Sequence, residues 1–135
     1  MDKNPVLRVT VPRPLFRKSV MTDIVYKIVP ETLWRTAKEK GVFEGAEIDL
    51  RDGFIHFSTG AQVRETARLH FASLTGLLLV AVDATALGEA LRYEPSRGGD
   101  LFPHLYADLP TSSVLWEMPL LIGVDGRHAF PEIMP

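Results

Sequence analysis

The chain has 135 residues and a mass of 15.1 kDa, with 46% hydrophobic and 24% charged residues. That is the mix of one folded domain around one core, and it argues against a disordered, coiled-coil or collagen-like chain. The absence of cysteine excludes a disulfide framework, a thiol nucleophile and a thiolate metal site, and makes the cytoplasm the default location. Of 15 basic and 17 acidic residues, five basic ones but only Asp2 lie in the first twenty, leaving ten against sixteen in the remainder. So acidic a body offers no surface for neutralising many phosphates, and duplex nucleic acid is not an expected partner.

Residues 1–21 contain Pro5, Pro12 and Pro14 and show no sustained period. They read as a basic extension, disordered or not native, ahead of a globular domain over 22–135. Three origins are open: a misplaced start with Met21 as the first residue, a short basic arm, or a targeting peptide. The prolines and the lack of an apolar segment weigh against the last.

From Ile24 to Val29 β-branched and aromatic residues predict a strand. Pro30 suits the first position of a helix, and Glu31–Lys40 supplies one, with Leu33, Trp34 and Ala37 on its apolar side and Gly41 as its stop. Trp34 is expected to anchor that helix to the sheet. The segment 42–51 reads as a connector with a half-buried extended stretch in which Ile48 and Leu50 interleave. Its Glu44, Glu47 and Asp49 are spaced too loosely for a calcium loop, and no metal is expected.

Asp52-Gly53 signals a turn, and Phe54 to Ser58 follows as a strand with Phe54, His56 and Ser58 on one face and Ile55 and Phe57 in the core. Ser58 or Thr59 is positioned to cap a helix whose apolar stripe is Val63, Ala67 and Phe71. A helix start at that point would favour a phosphate or carboxylate. His70 is expected at the edge of the core.

The continuous apolar run 77–82 is far shorter than the roughly 20 residues needed to cross a bilayer and reads as a buried strand. A helical turn over 84–90 follows, then a brief strand at 91–94 in which Arg92 and Glu94 share a face, as a charge pair or as side chains aimed at a site. The loop 95–100 lacks P-loop spacing. His104 and Tyr106, framed by Pro103 and Pro110, suggest a fixed, irregular loop that holds chemistry. Residues 114–124 predict a long strand broken near Pro119, which suggests a sheet edge or a bulge there. Asp125-Gly126 is a hairpin turn, and Glu117 is a carboxylate that needs a partner if buried.

Taken together, Ile24-Val25-Tyr26-Lys27-Ile28, Trp34, the run 52–59 (DGFIHFST), Leu91-Arg92-Tyr93-Glu94 and the run 102–110 (FPHLYADLP) resemble the bacterial domain-of-unknown-function 952 family over residues 22–133. The resemblance implies an α+β fold similar to the ADP-ribosyltransferases, a split mixed β-sheet with two or three helices around a nicotinamide-dinucleotide cleft, and hence NAD as a cofactor to consider. In that superfamily a strand histidine followed two positions later by serine or threonine contacts the ribose; His56 and Ser58 match this motif. Tyr106 is a candidate for the ring that stacks on nicotinamide, and Glu117 for the glutamate that orients the ribose.

Two functions are therefore expected. One is a nucleotide- or NAD-binding transferase of ADP-ribosyl or phosphoryl groups, with Glu117 or Glu94 catalytic and His56, Ser58, Thr59, Arg92, His104 and Tyr106 binding the ligand. The other is a module that binds a small anion and performs no chemistry. A metal hydrolase built on His56 and His104 is disfavoured, because none of the four histidines has zinc-site spacing.

Overall fold

The computed structural model describes residues 23–132. Its first sheet has the order β1 (Ile24–Pro30), β4 (Leu77–Asp83), β8 (Val114–Pro119), with the uninterrupted apolar strand β4 in the centre. Alternation along β4 feeds two cores. Leu78, Val80 and Val82 join Val25 and Val29 of β1 in one, against Trp34 and Ala37 of helix α1 (Glu31–Lys40). Leu77, Leu79 and Ala81 join Tyr26 and Ile28 in the other, against Val63 and Ala67 of helix α3 (Val63–His70). Burying each large side chain from these faces contributes about 1.5–3 kcal/mol.

The second three-stranded sheet, ordered β3 (Ile55–His56), β6 (Leu101–Leu105), β5 (Leu91–Pro95), lies beside the free edge of β1. The two sheets are joined by a single bridge from Tyr26 to Ser58. β2 (Val42–Phe43) and β7 (Leu109–Pro110) form a small third sheet. The α+β architecture and the split are as expected, but the sheet is not mixed: every strand pairing among the described residues is antiparallel. Two short helices complete this part of the chain, α2 (Glu47–Asp52) and α4 (Ala84–Leu87). None of these helices is long and apolar enough to cross a membrane.

Three local expectations fail for identifiable reasons. The extended stretch expected before residue 52 is helix α2. Glu47 and Asp49 sit in its first turn, Asp49 Oδ2 accepts the Ala46 N–H at 2.7 Å, and Gly53 ends it in the left-handed region at φ 88°. Ile48 and Leu50 alternate without being buried; both are exposed. The segment around His104 is the regular central strand β6. It holds Pro103, whose carbonyl accepts the Phe57 N–H at 2.9 Å but which has no N–H to return. The ladder between β3 and β6 therefore stops at His56, shorter than the strand expected over 54–58. Finally, neither Ser58 nor Thr59 caps α3, which starts at Val63 with no side-chain cap. The Ser58 hydroxyl instead meets Thr66 at 2.9 Å, so Ser58 marks no anion-binding helix start.

Pro119 ends the edge strand β8, as its missing N–H suggests. Beyond it, a bridge between Ile122 and His128 and a left-handed Gly126 (φ 81°) make the expected hairpin turn. The readings for residues 1–21 lie outside the described residues.

Glu117 has the partner its setting demands. On β8 it faces α1, where it accepts the Trp34 indole N–H at 2.7 Å and pairs with Lys38 at 3.2 Å. Glu117→Ala leaves that buried indole without an acceptor and is expected to lower stability by about 1–3 kcal/mol. Glu117→Gln keeps an acceptor and gives up only the half-exposed Lys38 pair, about 0–1 kcal/mol. Urea unfolding of both variants checks this; equal losses would mean that the indole bond contributes nothing.

Candidate functional site

A cavity of about 400 Å³ opens where the two sheets diverge, lined by Tyr26, Lys27 and Ile28 of β1, by Ile48, by His56, Phe57 and Ser58, by Thr66, His70 and Phe71 at α3, by Ser96 and Arg97, and by Phe102 and His104 of β6. Its volume lies in the usual range for small-molecule sites.

The sheet register brings the two histidines together. His56 is directly opposite His104, and Arg92 lies opposite His104 on its other side, so the three side chains form one row across the face. The imidazole centres of His56 and His104 are 5.7 Å apart, and Phe54 covers both, stacked on His104 at 4.1 Å and tilted against His56 at 4.5 Å.

Each histidine has a carboxylate behind it, with a different outcome. Glu94 Oε1 takes His104 Nδ1 at 2.8 Å and the Tyr106 hydroxyl at 2.7 Å. These bonds, His104 first and Tyr106 second, hold the Glu94 carboxyl below its ordinary range, and Glu94 in turn raises the Tyr106 phenol. The Arg92 guanidinium lies 5.0 Å from the centre of the Tyr106 ring. His104 is buried, lines the cavity, and uses only Nδ1 among the described residues. With Nδ1–H donated to Glu94, its Nε2 is a proton acceptor.

His56 is clamped at both nitrogens. Nδ1 meets Asp49 Oδ1 at 2.7 Å and Nε2 meets Asp52 Oδ2 at 3.0 Å. Ionised carboxylates only accept, so both bonds are made together only when both ring nitrogens carry hydrogen.

Asp49 is the hub of this corner. It is 2% exposed and receives Lys27 Nζ at 3.0 Å, the His56 N–H at 3.0 Å, the His56 ring and the Ala46 N–H. Burial alone would raise its carboxyl. The His56 ring, the Lys27 ammonium and the two backbone donors outweigh it and pull the group down to about 2. Burial pushes the Lys27 amine down, and Asp49 opposes that shift. Gly45 is required nearby, since a Cβ there would stand 2.9 Å from the Asp49 Cβ with φ at 128°.

The sequence-derived residues thus divide. His56, Ser58 and His104 line the cavity, and Glu94, Tyr106 and Arg92 stand behind His104. Thr59 is not among the lining residues, and its N–H is held by Gln62 Oε1 at 3.0 Å. Glu117 lies apart, on the edge strand β8 with its oxygens taken by Trp34 and Lys38, so the structure does not bring the expected ribose-orienting glutamate to the histidines. His70 is an exposed residue of the cavity lining rather than a core-edge residue.

Lys27, Asp49, Asp52, Thr66 and Arg97 were missed. A lysine inside an otherwise apolar strand is a signal for a buried partner, and it was present at Lys27. Arg97, in the 3₁₀ turn 97–99, stacks over Phe102 at 4.7 Å and forms no ion pair among the described residues. No cluster of three or more His, Asp or Glu suited to a metal occurs among those residues.

An α+β protein with a histidine-lined cavity at a split between antiparallel sheets is the class that fold and site define. Residues 28–117 match the family described as protein of unknown function (DUF952), and the chain belongs to that family. The crystal structure of protein CC0527 from Caulobacter crescentus is 47% identical, with a TM-score of 0.75 over 78% of this chain and 93% of that one. The solution structure of CC0527 is 48% identical, with a TM-score of 0.71 over 78% and 90%. No curated protein matches the chain.

Asp49→Asn removes the charge facing buried Lys27 and is expected to cost about 3–5 kcal/mol in urea unfolding. Because the folded carboxyl sits at about 2 against an ordinary 3.8, its contribution is fully present above about pH 4 and is lost as pH falls toward about 2. That amounts to about 2 kcal/mol. Unfolding measured across this window should show the decline in the native chain and a flatter response in Asp49→Asn.

Proposed function

We propose that the cavity between the sheets binds a small anionic, nucleotide-like ligand, with NAD among the candidates, and that the protein transfers an ADP-ribosyl or phosphoryl group. The observation that carries this reading is His104, which faces the cavity with Nδ1 held by Glu94 and Nε2 unbonded among the described residues. A carboxylate-oriented imidazole with one open nitrogen is suited to take a proton from an attacking hydroxyl as its oxygen bonds to phosphorus, expelling the leaving phosphate oxygen with its electron pair, or to the anomeric carbon, expelling neutral nicotinamide as the C–N bond breaks. In this role His104 is the base, Glu94 fixes its tautomer, and Tyr106 holds Glu94.

Arg97, at the cavity with no ion pair among the described residues, is suited to an anionic group. Phe71 and Phe102 give apolar walls for a flat ring. His56, engaged at both nitrogens, keeps a binding role only if Asp52, about one-third exposed, yields Nε2 to the ligand.

The alternative, a small-anion-binding module without chemistry, is favoured by one observation: Glu117 is committed to Trp34 and Lys38. That leaves Glu94, already spent on His104 and Tyr106, as the sole glutamate of the two considered that stands near the histidines.

Titration with NAD, ADP-ribose and inorganic phosphate, following the imidazole signals of His104 and His56, tests the binding. Silence with all three ligands would end both readings. Under the transferase reading His104→Gln lowers turnover by about 10²–10⁴-fold while ligand affinity changes little. Binding without turnover, tolerant of Glu94→Gln, would favour the module.

A further inference from the structure

The two three-stranded sheets meet at one rung. The Tyr26 N–H donates to the Ser58 carbonyl at 2.8 Å, and the Ser58 N–H returns to the Tyr26 carbonyl at 2.9 Å. Hydrogen-bonded rungs of an antiparallel pair recur at every second residue, so the next rung would join Ile28 to His56. It is not made, because both backbone groups of His56 are already in use. Its N–H goes to Asp49 Oδ1 at 3.0 Å, and its carbonyl accepts Lys27 Nζ at 2.9 Å. The Lys27–Asp49 pair acts as a wedge that answers one side of the missing rung.

The other side is left open. Successive residues of a strand turn their N–H and C=O to opposite edges. Tyr26 uses its groups on the edge away from β4, so Ile28 presents its own on that same edge. Neither has a partner among the described residues, although Ile28 is only 6% exposed and lines the cavity. A buried donor and acceptor side by side and unsatisfied are unusual in a folded chain unless something binds them.

We propose that the Ile28 N–H and C=O form the recognition edge of the cavity, and that its ligand carries a planar amide edge. Such an edge, a carbonyl acceptor beside an N–H donor, is found in a carboxamide or in the lactam face of a nucleobase. It would restore the rung that His56 does not supply. An added peptide strand fits less well, because the next residue on this edge is Pro30, which has no N–H, so the edge offers one rung only. The walls of Phe71 and Phe102 suit a flat group held in the plane of that rung.

The inference rests on the cavity being a ligand site, but it requires neither an anion nor turnover, and uncharged probes test it separately. Amide hydrogen exchange in the free protein should be faster at Ile28 than at Lys27 and Val29, whose groups lie in the ladder with β4. Benzamide or uracil should then shift the Ile28 amide signal and slow its exchange. N,N-dimethylbenzamide and 1,3-dimethyluracil, which lack the donor, should bind at least about tenfold more weakly. A response to benzamide alone assigns the carboxamide source, and one to uracil alone the nucleobase; either supports the proposal. Ile28 protected as strongly as its neighbours without ligand, neither probe moving its amide, or equal binding by the methylated analogues would each overturn it. If NAD, ADP-ribose and phosphate leave the spectrum unchanged while benzamide shifts Ile28, the anion reading falls and this one stands.

Discussion

The buried ion pair between Lys27 and Asp49 is the constraint on which the site depends. An ammonium and a carboxylate at 7% and 1% side-chain exposure would be expensive to bury alone, and they are tolerable here because their own charged atoms are matched by hydrogen-bonding partners. Lys27 meets both Asp49 oxygens and the His56 carbonyl, while Asp49 also takes the His56 N–H, the His56 ring and the Ala46 N–H. The backbone of His56 is thereby satisfied without a neighbouring strand. Two sheets that could have zipped into one are held apart, and the separation is a cavity.

From that arrangement the two histidines acquire unlike characters although they sit opposite each other. His56 belongs to the wedge and is fixed at both nitrogens; His104 is fixed at one. The contrast comes from their elements. Helix α2 supplies both Asp49 and Asp52 to His56, whereas His104, on a central strand, is reached by Glu94 from the neighbouring strand only. Two residues of the same type, directly opposite each other across a ladder, thus offer a structural clamp and an open proton acceptor.

Much of this was legible in the residues. The strand β1, the helix that Trp34 anchors, the buried β4 and the face shared by His56 and Ser58 follow from β-branching, proline and glycine placement and side-chain alternation. What was not legible depended on partners distant in the chain. Asp49 looked like part of an acidic connector because its cation lies in β1, and Glu117 looked available because Trp34 is remote in sequence. The segment around Pro103 looked like a loop because proline is unusual in a central strand; the register, with its missing donor at the point where β3 ends, makes the exception workable. Ile48 and Leu50 misled by alternating as a strand would, while local capping by Asp49 and Gly53 favoured a short helix.

The order in which the strands pair has a consequence for how the chain reaches this state. β1 waits for β4, β4 for β8, β2 for β7 and β3 for β6; among the named strands of the three-stranded sheets, only β5 and β6 are neighbours both along the chain and in space. Contacts of such long sequence separation close slowly, because loop entropy is lost before any contact repays it. During synthesis the apolar strand β1 emerges well before its partner, and both residues of the Lys27–Asp49 pair precede in the chain most of the strands that they will hold apart. The cavity is therefore a late product of folding, complete only once β6 has docked and brought Phe102 and His104 to its lining.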